Sequence, residues 1–155
     1  MEWHEYSAEN CGIARGLDIV GRPWALLVIR ELFLGIRRFD DILARLGASR
    51  PVLAARLREL VDAGIVRRVP YREPGQRERH EYRLTDRGIE LYPILTALRE
   101  WGDRHAIDGE PSVVVRHGDC GAPVSTVLRC ANGHDHLTIR DVHAEPGPGA
   151  RRRSA

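Results

Sequence analysis

Residues 39–82 carry two runs of helical period split by Gly47-Ala48, then two alternating runs split by Glu73-Pro74-Gly75, and few folds accept that order. A glycine between two short helices sets them at a sharp angle, and a Pro-Gly turn between alternating segments closes a hairpin. Helix, turn, helix and hairpin is the order of a winged helix-turn-helix, which lays its second helix in the DNA major groove with the hairpin beside it. The expected fold class is therefore mainly α with a small β-wing (α+β), a winged helix-turn-helix followed by a small C-terminal β appendage.

Charge is distributed to match. Residues 37–83 hold 12 arginines against seven acids and the rest of the 155-residue chain holds 12 against 15, so a net charge of only +2 conceals a basic middle. A phosphate-binding face needs that local excess rather than a high overall charge. Every cationic side chain other than histidine is arginine, whose planar fork suits phosphate and guanine edges, although the absence of lysine reads as the mark of a GC-rich genome rather than of selection for DNA contacts. A chain with 43% hydrophobic and 30% charged residues folds rather than staying disordered. The longest strongly apolar run, residues 23–29, falls far short of the ~20 residues that cross a bilayer, and residues 1–10 lack the apolar core of an export signal. A cytoplasmic protein with no membrane partner is expected. Three cysteines, an odd number, argue against a disulfide framework and leave metal or redox roles open. The sequence contains no phosphate-binding glycine loop, nucleophile elbow or paired helical histidines, so no enzyme activity is expected.

Residues 1–10 read as an N-terminal arm and residues 11–106 as a DNA-binding and dimerisation domain. Residues 11–20 form a first helix with Ile13, Leu17 and Val20 on one face, closed by Gly21. A second begins near Pro23, with Trp24, Leu27, Val28, Glu31 and Leu32 at helical spacing. Residues 37–39 read as a short strand or extended link, and residues 40–46 as a helix with Ile42, Leu43 and Leu46 inward. In the next helix, residues 49–63, Leu53, Leu57, Leu60 and Val61 fix one buried stripe and leave Pro51, Val52, Ala55, Arg56 and Arg58 off it. Ser49 is placed to cap that helix, and Pro51 is tolerated in a first turn whose free amides attract a phosphate. Residues 65–71 and 79–84 are expected to pair as the wing, with a basic tip at residues 72–77 suited to a DNA backbone or minor groove. Thr85-Asp86 caps a long helix through Leu91, Leu95, Leu98 and Trp101, which Pro93 bends or divides. Its Leu and Trp stripe exceeds what a small domain needs and is read as a dimer interface, with completion of the monomer core as the alternative.

Residues 110–143 form a separate appendage, with short strands expected at 113–116, 124–129 and 136–142. His117 and Cys120, then Cys130 and His134, place four zinc-type side chains on two knuckle-like turns. A zinc ribbon offers Cys-x-x-Cys on each knuckle, whereas Gly133 stands at the second such position, so a degenerate ribbon without cofactor is expected and zinc is the alternative. Residues 144–155, rich in Pro and Gly and ending in three arginines, read as a disordered basic tail.

Several motifs in order resemble the HxlR-type winged-helix transcriptional regulators: CGIARGLDIVGRPW from Cys11, IREL from Ile29, GIRRFD from Gly35, VLAARLREL from Val52, EYRLTDRG from Glu81 and LREWG from Leu98. The resemblance covers residues 11–105. It implies a homodimer that binds a palindromic double-stranded operator, mostly as a repressor, with dimerisation through the first and last helices of the core, here Ile13, Leu17, Leu95, Leu98 and Trp101. It also implies DNA contacts from Ser49, Arg50, Pro51, Val52, Ala55 and Arg56, with Arg37 and Arg38 near the preceding helix and Arg72, Arg77 and Arg79 on the wing. Pro51 and Ala55 depart from the polar residues usual in the family, so specificity is expected to lean on Arg50, Arg56, the Val52 methyls and DNA shape. Cys11 matches an amino-terminal cysteine that senses oxidants or electrophiles in some members; at a helix start its thiolate is favoured, and packing in the dimer interface is the alternative role. A small-molecule effector is equally compatible. The competing reading of the whole chain is a winged-helix protein-interaction scaffold without specific DNA binding.

Overall fold

Hydrophobic residues of residues 20–66 close into one small core, and the elements that carry it follow the sequence periods closely. The computed structural model describes residues 2–153. A short 3₁₀ turn at Trp3–Glu5 precedes α1 (Gly12–Val20), α2 (Ala25–Phe33), α3 (Phe39–Leu46), α4 (Arg50–Asp62), the hairpin β1 (Val66–Tyr71) and β2 (Arg79–Leu84), α5 (Asp86–Ile89) and α6 (Tyr92–His105). The chain divides into two compact units, residues 1–91 with 151–155 and residues 92–150. That boundary falls after α5 and not at residues 106–110, because α6 is tied to the appendage: Glu100 accepts from the Thr126 amide at 2.9 Å, and Arg99 donates to the Val113 carbonyl at 3.5 Å.

In the first unit α2 lies against α3, α4 and β2, and α1 packs on α4. Val28, Ile29, Ile42, Leu53, Leu57 and Leu60 supply the buried centre. On α2 the buried residues are Ala25, Val28, Ile29, Glu31 and Leu32: Val28, Glu31 and Leu32 are on the expected face, Ile29 joins it, and Leu27 is 39% exposed off it. Trp24 takes a left-handed conformation at φ 74° immediately before the helix. A bulky residue in that region stores about 1–3 kcal/mol, which the surrounding packing must hold.

Gly47 makes the turn between α3 and α4 in the left-handed region at φ 67°, as a C-cap glycine does. Ser49 occupies the N-cap position of α4 but its side chain makes no cap hydrogen bond, contrary to the capping role expected of it. β1 and β2 pair antiparallel from Val66 opposite Leu84 to Tyr71 opposite Arg79. Arg38 forms a single β-bridge to Glu81, and the Tyr82 amide donates to the Arg37 carbonyl at 2.8 Å, so the link before α3 flanks the outer edge of β2.

The hairpin root is clamped. The Thr85 hydroxyl donates to the Gly64 carbonyl at 2.6 Å and accepts from the Gly88 amide at 3.1 Å, while Arg87 donates to the Ala63 carbonyl at 2.9 Å. Gly88 is buried so tightly that an added Cβ would lie 2.3 Å from the Ile65 carbonyl oxygen. Only hydrogen fits there.

Residues 85–105 form two helices rather than one bent helix: α5 ends at Ile89, and Pro93 stands in the first turn of α6, where a missing amide costs nothing. The three strands expected in the appendage do not form. Residues 113–142 hold an isolated Arg116 to Pro123 bridge and scattered backbone bonds such as Leu137 to Leu128, and no ladder extends between the expected segments. The tail also departs from the expected disorder at residues 151–153. Tyr6 and Arg152 form an antiparallel bridge, with Ser7 donating to the Arg151 carbonyl at 2.8 Å and Arg153 to the Glu5 carbonyl at 2.7 Å.

Candidate nucleic-acid interface

α4 presents its exposed side opposite the Leu53, Leu57 and Leu60 stripe, and each candidate contact can be placed by its angle from that stripe. At about 100° per residue, Pro51, Ala55 and Arg58 fall farthest from the stripe, Arg58 roughly 130° from its centre, whereas Arg56 is only roughly 70° away. The structure agrees. Pro51 and Arg58 are exposed, Val52 is 36% exposed and Ala55 half-buried. The Arg56 side chain is only 14% exposed and is ion-paired with Glu59, and its Nε has no partner. Arg56 therefore lies largely enclosed at the flank of the stripe, and Arg58 is the outward-facing cation of this helix. A helical wheel centred on the three buried leucines would have separated them.

The start of α4 is open. With Ser49 exposed and no side-chain cap on the first turn, its amides and the positive end of the helix dipole remain available to a phosphate oxygen. Arg50 projects beside them, its Nη2 donating to Asp40 Oδ1 at 2.7 Å and its guanidinium 5.6 Å from the Phe39 ring. At the hairpin, Arg38 is held in the same manner: its Nη2 lies 2.8 Å from Glu73 Oε1 and its guanidinium 4.7 Å above the Tyr71 ring. Tyr71 and then Glu73 raise the Arg38 pKa above its ordinary value, so the charge is permanent.

The remaining candidate cations stand freer. Arg37 is exposed, as are Arg77 and Arg79 on the hairpin, and none of the three has an ion-pair partner among the described residues. Arg72 donates to the Gln76 carbonyl at 3.2 Å, which stiffens a wing tip turned by Gly75 at φ 77°. Arg67, exposed on β1 opposite Arg83, joins this set.

Behind the interface lies a charged group that periodicity alone disguises as part of an apolar face. Glu31 on α2 is fully buried, and both oxygens are engaged, one by Arg30 and the other by Arg45 of α3. Burial by itself would raise its pKa, but the hydrogen bonds and charges of Arg45 and Arg30 outweigh burial and hold the carboxyl below its ordinary value of 4.5. This triad ties α3 to α2.

The other candidate residues lie on other elements. Cys11 sits at the N-cap of α1, half-buried and unbonded to another cysteine. On α1, Ile13 and Leu17 are 76% and 56% exposed; on α6, Leu98 and Trp101 are 49% and 55% exposed and Leu95 is half-buried. His117 Nδ1 lies 3.3 Å from Cys120 Sγ, and His134 Nδ1 lies 3.3 Å from Cys130 Sγ. Each pair is local to its own turn. Among the described residues no three His, Cys, Asp or Glu side chains converge, so these four do not fit a four-ligand zinc centre as arranged.

A glycine-turned pair of helices followed by a clamped hairpin, with arginines along the open helix face and the wing, defines a winged helix-turn-helix. The HxlR-like helix-turn-helix family model matches residues 19–109. The uncharacterized HTH-type transcriptional regulator Rv3095 of Mycobacterium tuberculosis is 42% identical over 147 residues, 94% of this chain and 90% of the relative. Among solved structures, PA1607, a proposed transcription factor, matches with a TM-score of 0.78 at 36% identity, over 90% of this chain and 96% of that chain. The redox regulator HypR in its oxidized form matches with a TM-score of 0.56 at 27% identity, over 63% of this chain and 100% of that chain. The chain belongs to the HxlR-like helix-turn-helix family and is a DNA-binding transcriptional regulator. No described helix is long and apolar enough to cross a membrane.

Proposed function

We propose that this chain is a cytoplasmic homodimeric repressor that grips a two-fold operator, each copy laying α4 in a major groove and its hairpin along the adjoining backbone. The observation that carries this is the outward face of α4, where Pro51, Val52, Ala55 and Arg58 are turned away from the leucine stripe beside an uncapped helix start and Arg50. Such a face is poor in side chains that hydrogen-bond base edges. Recognition then falls to Arg50 and Arg58 on guanine edges, to thymine methyls against Val52, and to duplex shape, while Arg37, Arg72, Arg77 and Arg79 set register on phosphates. Exposed apolar side chains, Ile13 and Leu17 on α1 and Leu98 and Trp101 on α6, supply contacts for the second copy.

The test is selection of duplexes from a random pool, followed by footprinting and sedimentation. A protected site with two-fold symmetry on a dimer supports the reading; a monomer that retains no sequence in preference to another defeats it. On the selected site, Arg50→Ala is expected to cost about 1–3 kcal/mol and to relax one base position, whereas Arg77→Ala weakens selected and random duplexes alike. Promoter fusions then separate repression from activation.

Cys11 carries a second, narrower reading. Its half-buried thiol at the start of α1, together with the likeness to the redox regulator HypR, supports a response to oxidants or electrophiles. Mild peroxide is expected to change operator affinity of the native chain and not of Cys11→Ser. Equal responses would assign the sensing elsewhere, to another thiol or to a small-molecule effector.

A further inference from the structure

Two arginines of the reading surface are held by one repeated arrangement. Arg50 is bonded to Asp40 at 2.7 Å with its guanidinium near the Phe39 ring, and Arg38 is bonded to Glu73 at 2.8 Å with its guanidinium over the Tyr71 ring. In each case a carboxylate takes a donor of the fork and an aromatic plate sets its orientation. Both pairs are solvent-exposed, with side chains between 40% and 67% accessible. Exposed pairs of this kind add little to folding stability. Their position suggests another use.

A loose arginine on a basic surface swings to whichever phosphate is nearest, and such contacts carry no sequence information. An arginine held by a carboxylate keeps free N–H groups for a base edge presented to it, while its net charge toward the backbone is cancelled. We propose that Asp40, and with it Glu73, are specificity-determining residues: each restrains an arginine of the DNA-reading face, so that random duplex is bound weakly and only a site offering a base edge to the restrained fork is bound well. The proposal rests on the reading of α4 and the hairpin as the DNA surface. It concerns neither family-wide contact positions nor the operator itself.

The experiment uses the full chain and two probes: the duplex selected by the wild type, and a shuffled duplex of the same composition. Asp40→Asn frees Arg50. It is expected to raise affinity for the shuffled duplex about three- to tenfold and to steepen its log–log salt dependence by roughly 0.9, one added phosphate contact, while affinity for the selected duplex rises by less than about twofold or falls. The specificity ratio therefore drops. Asp40→Glu, which keeps the charge, restores most of it, and Glu73→Gln repeats the effect on a smaller scale. Removal of any acid weakens repulsion of DNA in general, so the decisive arm is Asp40→Asn in an Arg50→Ala background, where the gain on the shuffled duplex is expected to disappear.

Thermal melting of every variant accompanies the binding curves. A wild type without preference between the probes defeats the DNA-reading assignment and this inference together. A wild type that discriminates, beside an Asp40→Asn variant with an unchanged ratio or an equal gain in both backgrounds, defeats the inference alone. An Asp40→Asn variant that melts far below the wild type gives Asp40 a structural role and likewise defeats it, with Glu73→Gln deciding the second pair on the same criteria.

Discussion

The two compact units of this chain handle their apolar side chains in opposite ways. In residues 1–91 eleven hydrophobic residues among those described are buried, nine of them on α2, α3, α4 and β1. In residues 92–150 the one buried residue among those described is a threonine, Thr96, whose hydroxyl donates to the Tyr92 carbonyl. Ile94, Leu98, Trp101, Leu128 and Ile139 of that second unit are each at least 49% exposed. The first unit is self-sufficient by the ordinary rules of a small core; the second carries exposed apolar side chains without an interior that would fix them. The proposed reading elements all lie in the first unit, whereas the proposed dimer contacts come from both, Ile13 and Leu17 from the first and Leu98 and Trp101 from the second.

The comparison can be broken most directly by removing a large side chain from each unit. Leu57→Ala leaves a cavity at a fully enclosed site and is expected to cost about 2–5 kcal/mol in chemical denaturation, whereas Leu128→Ala, more than half exposed, should stay within about 0.5 kcal/mol. A comparable loss at Leu128 would mean that the second unit has a core after all. Next in size is Trp101→Ala. As an anchor of the proposed dimer it is expected to weaken self-association at least tenfold by sedimentation while leaving the protomer's melting almost unchanged, since truncation of a central aromatic typically costs about 2 kcal/mol or more of binding.

Glu31 sharpens the first half of the comparison. Replacing it with Gln leaves two half-exposed arginines that can turn to water, so the loss should be about 2 kcal/mol, below the range for stranding a fully buried charge. Its pH dependence is more diagnostic. Because the folded-state pKa is depressed, the contribution is complete above the ordinary value of 4.5 and is lost as pH falls through the folded value. The native chain should therefore lose melting temperature on acidification more steeply than Glu31→Gln does. Parallel curves would deny the triad its stabilising role. The smallest effect is expected at Cys130→Ser: about 0.5 kcal/mol or less, with no rise in melting temperature of the native chain on adding zinc. A zinc-dependent rise abolished by this substitution would show the four Cys and His side chains converging on a metal.

Legibility in the sequence follows the same division. Where burial is complete, period and punctuation suffice: Leu53, Leu57 and Leu60 in α4, the Gly47 turn and the span of β2 all lie where the pattern puts them. Where a side chain sits at the flank of a stripe, the pattern fails by one position. Arg56 is paired and largely enclosed while Arg58 is free, a distinction of angle and not of residue type. On α2 Ile29 is fully buried and Leu27 is 39% exposed, and the left-handed tryptophan before the helix leaves no trace in a hydrophobicity pattern. Long-range pairing is beyond reach altogether. The Tyr6 to Arg152 bridge joins opposite ends of the chain, and the pairings of Arg38 with Glu73 and Arg50 with Asp40 depend on how helices and hairpin pack. Alternation in residues 113–142 suggests strands, yet those segments form no ladder.

Gly88 has a practical consequence for genetics. The methyl group of an alanine would press on the Ile65 carbonyl oxygen, main-chain matter that cannot rotate aside, so the crowding must be absorbed by the hairpin's foundation. Crowding of this order costs about 1–3 kcal/mol, and each kilocalorie lowers the midpoint of a domain this size by roughly 4–8 °C. Gly88→Ala is accordingly a rational conditional allele: cells carrying it should control a reporter when cool and lose that control when warmed, which would let the genes it governs be catalogued by temperature alone.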